Sequence, residues 1–157
     1  MEKTKIGGVI RNPNLAKVGV MGIPDRPGVA GAILSALGRE GINVEFIVQC
    51  IDLNSHDHVV FCVARDNLEA ALSILKKIKP ELGAKEVIHE PEAGIVSIFG
   101  PDFRERPGIA GAMFNALASV GINILAISTS ISTVSCVIDA KRVSEAVRVI
   151  EQTFDMP

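Results

Sequence analysis

Apolar residues recur at two different periods along this chain, and the switching between them spells out a folded unit. KVGVMGI (17–23) is a short β-rich run that stops at PDRPG, a turn signal. Beyond it Val29, Ile33 and Leu37, with Ala30 and Leu34 beside them, fall at helical spacing and predict one buried stripe. GREG ends that helix. INVEFIVQCIDL (42–53) then changes to period two, with Val44, Phe46, Val48 and Cys50 on one side and Glu45, Ile47 and Gln49 on the other. NSHD reads as a turn and HVVFCVA (58–64) as the returning strand. Leu68, Leu72, Leu75 and Ile78 mark a second amphipathic helix ending at KPELG, and AKEVIHE (84–90) reads as a strand. The order βαββαβ predicts a ferredoxin-like α+β arrangement, two helices on one face of a four-stranded antiparallel sheet.

The unit is written twice. RPGVAGAILSALGREGINV (26–44) returns eighty positions later as RPGIAGAMFNALASVGINI (106–124), with eleven of nineteen residues identical. GIVSIFG (94–100) is the second copy's first strand, Ile109–Leu117 its first helix stripe, and INILAIS and TVSCVID its hairpin. Val143, Val147, Ile150 and Phe154 form its second helix face. The offset falls from eighty at Asn43/Asn123 to seventy-four at Cys62/Cys136, so the second hairpin loop is expected to be six residues shorter. Two domains of about 70–80 residues each sit near the lower limit for a self-sufficient core, so they are expected to pack together and to oligomerise. The second copy has no fourth strand of its own, whereas KIGGVI (5–10) precedes the first copy and has no place in it. That segment is therefore inferred to complete the second sheet. The expected domains are 15–91, inserted, and 1–14 with 92–157, joined by a short connection at HEPEAG.

The repeated phrase also carries candidate chemistry. A loop running into a helix start presents backbone N–H groups without intrahelical partners, which favour an anion such as a carboxylate. Gly28 has no Cβ to obstruct a ligand, Asp25 can take an ammonium group, and an Asn side chain both donates and accepts. An α-amino acid carries both charges. Pro-Gly is equally common turn chemistry, and Asp25 could be a helix N-cap. Gly31 and Gly111, costly inside helices, suggest close packing against a neighbouring element. PGVAGA lacks the Gly-Lys-Ser/Thr ending of a phosphate loop. His56 and His58 around Asp57 have a metal-compatible spacing, but a solvated turn is the stronger reading, and no metal or cofactor is expected.

Composition narrows the partners. Sixteen basic and eighteen acidic residues give a formal charge of −2, which offers no footprint for nucleic acid. Phe46, Phe61 and Phe99 lie on strands without an RNP-like run. No apolar run suits a signal peptide or a membrane span, so a cytoplasmic protein is expected. Cys50, Cys62 and Cys136 are an odd count without CxxC spacing and read as buried free thiols. No catalytic constellation emerges, so the chain by itself is not expected to be an enzyme.

VGVMGIPDRPGVAGAILSALGREGINVEFIVQ and IVSIFGPDFRERPGIAGAMFNALASVGINILAISTS resemble the tandem ACT domains of the regulatory end of aspartate kinases, and IGGVIRNPNLA resembles that family's leading strand. The likeness covers nearly the whole chain, at a length similar to the family's separate β subunits. It implies an end-product amino acid, threonine or lysine, bound where ACT domains meet, and an aspartate kinase catalytic chain as partner. It assigns Asp25, Pro27, Gly28, Val29, Ala30 and Gln49 to one wall of the pocket, and Asn123 and Ile124 to the other, supplied by the partner subunit of a homodimer. By internal symmetry a second pocket would use Arg106, Pro107, Gly108, Ile109 and Ala110 with Asn43 and Val44. Where the family carries charged residues after STS, this chain has Ile131 and Thr133, which favours threonine over lysine. The alternative is a free-standing ACT sensor of amino acids acting on another client.

Overall fold

The computed structural model describes residues 2–157. Its elements are β1 (Gly8–Pro24), α1 (Val29–Arg39), β2 (Phe46–Ile51), β3 (His56–Ala64), α2 (Leu68–Leu82), β4 (Glu86–Phe99), α3 (Ile109–Ser119), β5 (Ala126–Thr129), β6 (Thr133–Asp139) and α4 (Val143–Thr153). The chain divides into two compact units: Asn14–Glu92, and a composite unit of the residues up to Pro13 with Ala93–Pro157. The strand order is β2-β3-β1-β4 in the first and β1-β4-β6-β5 in the second. Each is a ferredoxin-like α+β unit with two helices against an antiparallel sheet.

The leading segment does complete the composite unit. Gly7 N–H donates to Phe99 O at 2.6 Å, Ile6 N–H to Asp155 O at 2.9 Å, and Ile6 is buried in that unit's core. Two expected breaks are absent. KIGGVI and KVGVMGI belong largely to one strand, β1, which passes through Pro13; the strand starts at Gly8, and Lys5 makes only an isolated bridge to Asp155. AKEVIHE and GIVSIFG likewise merge into β4, so HEPEAG is strand rather than connection. Proline removes one ladder donor, yet its fixed φ is compatible with extended backbone, so Pro13 punctuates the sequence without ending the strand.

Burial follows the 3.6-residue period closely. Val29, Ile33 and Leu37 of α1 pack with Leu68, Ala71 and Leu75 of α2 over Val18, Val20, Val59, Phe61 and Val63 of the sheet. Leu34, expected in the stripe, is 37% exposed on the flank of α1. In the composite unit Ile109, Met113 and Leu117 of α3 meet Val143, Val147, Ile150 and Phe154 over Val96, Ile98, Cys136 and Ile138. The strand registers correct the alignment of the two copies. Phe46 faces Cys62, and Ala126, eighty residues on, faces Val137. The offset is therefore seventy-five and the loop five residues shorter. Cys136 is thus the counterpart of Phe61, the core residue, and not of Cys62.

The thiols also divide. Cys62 and Cys136 are buried, and burial pushes both up to about 12, whereas Cys50 is exposed on the last turn of β2's alternation, against expectation.

Candidate functional site

The start of α1 is built to stay open. Gly28 is the N-cap residue, with φ 98 and ψ −3, a left-handed conformation that favours glycine. A Cβ there would meet nothing within 4 Å, so the backbone conformation and not crowding requires glycine. The first intrahelical bond runs from Ala32 N–H to Gly28 O at 2.9 Å. The N–H groups of Val29, Ala30 and Gly31 accordingly lack intrahelical acceptors, and no side chain caps the helix. Asp25 is therefore not an N-cap. Its own N–H donates to Ser55 O at 3.1 Å, tying the loop to the β2–β3 turn. Arg26 holds the loop from the other side, donating to Glu81 O at 2.8 Å and Leu82 O at 3.1 Å, carbonyls at the end of α2.

The β2–β3 turn is organised by Asp52. It accepts from Asn54 N–H at 2.8 Å and His56 N–H at 3.1 Å, and pairs with His58 Nε2 at 2.8 Å. His58 Nδ1 accepts from Gly22 N–H at 3.2 Å, so the ring proton lies on Nε2 and points at Asp52. The His58 hydrogen bond, followed by those from Asn54 and His56, holds the Asp52 carboxyl down at about 2. Gly22 sits at the register shift of β1 between Val20 and Ile23. The bulge is what turns its N–H towards the histidine.

Between turn and helix lies a residue that sequence reasoning missed. NSHD reads as a turn, but β3 begins at His56, and Asp57 is completely buried. It stands opposite Ile23 on β1 and Ile51 on β2. Counting back by twos from Val63, Phe61 and Val59 places Asp57 on the inward face of β3, which is the signal that could have found it. Gln49 Nε2 donates to its Oδ2 at 3.2 Å. Its Oδ1 has no hydrogen-bond partner. Burial, and then the neighbouring Asp25 carboxylate, push the Asp57 carboxyl above the ordinary value of 3.8. Asp25, Gln49 and Asp57 thus converge beside the open helix start, with Pro27, Gly28, Val29 and Ala30 forming the loop and first turn.

The same helix start recurs in the composite unit with different chemistry. Gly108 caps α3 at φ 97, and Ala112 N–H donates to Gly108 O at 2.9 Å. Arg106, Pro107, Gly108, Ile109 and Ala110 line a cavity of about 240 Å³ with Phe103, Thr129, Ser130 and Ile131. Arg106 is engaged there, donating to Lys5 O at 2.8 Å and pairing with Asp102 at 3.6 Å. By register Thr129 takes the place of Gln49 and Ser132 that of Asp57, so the buried carboxylate has no equivalent. Asn123 is exposed and Ile124 packs on the composite unit's core; Asn43 is exposed and Val44 packs on the other core. Gly31 and Gly111 have no neighbouring element within 4 Å of a Cβ, which overturns the expectation of close packing within the chain. Among the described residues no cluster of three His, Cys, Asp or Glu side chains suits a metal ion, and no helix is long and apolar enough to cross a membrane.

Comparison with known proteins agrees with this architecture. Family models of the ACT domain match residues 18–81 and 96–154, which makes this a tandem ACT-domain protein. Aspartate kinase of Pseudomonas putida is 40% identical over 156 residues, covering 99% of this chain but 38% of its own length. The ligand-free regulatory subunit of aspartate kinase from Thermus thermophilus superposes with a TM-score of 0.87 at 35% identity, over 97% of this chain and 100% of that one. A structure of aspartokinase alpha and beta subunits gives 0.87 at 34% identity, over 94% and 97%. The chain belongs to the aspartate kinase family, in which it corresponds to the regulatory ACT region. The chain spans 38% of the length of that Pseudomonas putida relative.

Proposed function

We propose that the chain is an allosteric amino-acid receptor whose effector is threonine and whose client is an aspartate kinase catalytic chain. The observation that carries this reading is the helix start at Gly28. Three N–H groups there lack intrahelical acceptors, in the turn that follows Asp25, whose carboxyl neighbours that of Asp57. Donors for a carboxylate and acceptors for an ammonium group suit the two ends of a free amino acid. Threonine is favoured over lysine because Ile131 stands where the resemblance places a glutamate that would hold a second ammonium, and Thr133 where it places a basic residue. Pro27, Val29, Ala30 and Gln49 complete this wall; Asn123 and Ile124 are assigned to the opposing wall by resemblance, in a homodimer. A second pocket at Arg106 to Ala110, with Asn43 and Val44, would differ in kind, because Ser132 and Thr129 replace the acid and amide. The protein works in the cytoplasm as a feedback element and has no catalytic role by itself. Effector binding shifts the partner kinase by a coupling of about 1–3 kcal/mol.

A thermal-shift screen against the twenty amino acids tests the reading. Threonine at a hundred times its dissociation constant adds about 2.7 kcal/mol of stability. Absence of any shift with any amino acid at millimolar concentration refutes it.

A further inference from the structure

Asp57 is the most unusual side chain in the molecule. It is a carboxylate with no exposure to solvent, on the apolar face of β3, with one oxygen bonded to Gln49 and the other to nothing. Buried polar atoms are almost always satisfied, and an orphaned one is destabilising unless something outside the chain completes it. Its nearest charged neighbour makes matters worse. The Asp25 carboxyl lies within hydrogen-bonding reach and repels it when both are ionised, and Asp52 adds to that repulsion. Two carboxylates brought together without a cation are unfavourable, and a cation between them reverses the sign of the interaction.

We propose that Asp57 is a specificity-determining residue of the effector site, its free Oδ1 joining Asp25 to form a two-carboxylate acceptor for the effector's α-ammonium group. The assignment rests on the reading of the α1 start as the effector site. It adds a residue to that site and a reason for the burial. Gln49 then acts as a positioning residue: its amide occupies Oδ2 and leaves Oδ1 to the ligand. The effector's carboxylate lies on the N–H groups of Val29, Ala30 and Gly31, so a zwitterion satisfies both ends at once. The composite unit carries Ser132 and Thr129 at the equivalent positions and cannot form this acceptor. Discrimination in favour of the charged amine therefore belongs to one of the two helix starts.

Titration calorimetry of the full chain with threonine and with 3-hydroxybutanoate, the same molecule without its amine, separates the possibilities. Wild type is expected to prefer threonine strongly. Asp57→Asn keeps the shape and the bond to Gln49 and should bind threonine about ten- to hundredfold more weakly, the size of a lost charge-assisted bond. Its binding of 3-hydroxybutanoate should be unchanged, which a general loosening of the pocket would not allow. Asp57→Thr, checked by circular dichroism, provides a second uncharged variant if the first does not fold. Threonine binding by both variants at wild-type strength overturns the role of Asp57 while leaving the effector site standing, provided Asp25→Ala still abolishes it. A wild type silent to threonine overturns the effector reading and this assignment together.

Discussion

Gly28 and Gly31 are three residues apart, both exposed, and a methyl group added to either meets nothing within 4 Å. They differ only in backbone conformation, and that difference predicts opposite signs for the same substitution. Gly28 holds φ 98 at the N-cap. Alanine there clashes with its own carbonyl and costs about 1–2 kcal/mol. Gly31 lies in the first turn of α1, where alanine loses less backbone entropy on folding. The gain is up to about 1 kcal/mol, and less near a helix end than in its middle. One kcal/mol moves the melting temperature of a 60–100-residue unit by about 4–8 °C. Urea denaturation followed by circular dichroism should therefore show a lower midpoint for Gly28→Ala and a higher one for Gly31→Ala, with unchanged slopes. If Gly31→Ala lowers the midpoint, some surface outside this chain packs on the helix start, and sedimentation would have to identify a second copy. If Gly28→Ala raises it, the left-handed cap is not the conformation in solution.

Three further outcomes follow from the same geometry. Removing residues 1–12 takes away the hydrogen bonds to Phe99 and Asp155 and the buried Ile6, so amide protection should fall mainly in 92–157; loss mainly in 15–91 would contradict the assignment of residues 1–14 to the second domain. The Asp57 pKa is raised above 3.8 in the folded state, so the folded form binds the extra proton and stability falls as pH rises through that raised value. Asp57→Asn should therefore be more stable than wild type at pH 7 without ligand, with a gap that closes towards pH 4; a gap independent of pH would refute the linkage. Asn123→Ala should weaken threonine binding while leaving the melting temperature of the free chain unchanged, and unaltered affinity would remove Asn123 from the site.

Much of this architecture is legible in the sequence because it rests on period. The helix stripes at Val29/Ile33/Leu37 and Val143/Val147/Ile150 are amphipathic and buried on one face, so local pattern and packing agree. The helix starts were legible for the same reason: Pro-Gly before an apolar stripe leaves few alternatives. Strand continuity was not. Pro13 and the EPEAG run carry the marks of breaks, yet β1 and β4 pass through them because their extended φ fits a ladder. Register was misread by one residue because two cysteines were matched by identity, whereas hydrogen bonding aligns Cys62 with Val137. Asp57 escaped notice for a related reason. A charged residue between two histidines resembles a turn, although the alternation back from Val63, Phe61 and Val59 puts it on the inward face of β3. The Arg26 and Arg106 pair was visible as a repeated identity, and only Arg106 was given a place, in the second pocket. Each donates to backbone carbonyls of its own unit and fixes the loop before the helix.

Backbone amide resonances report directly on whether a free amino acid is held at the start of α1. In a nitrogen–proton correlation titration with threonine, the largest saturable shifts are expected at Val29, Ala30 and Gly31, with Asp25, Gln49 and Asp57 following on the same binding curve. Shifts of that size confined to Gly108–Gly111, or none at all up to millimolar threonine, would contradict binding at the start of α1.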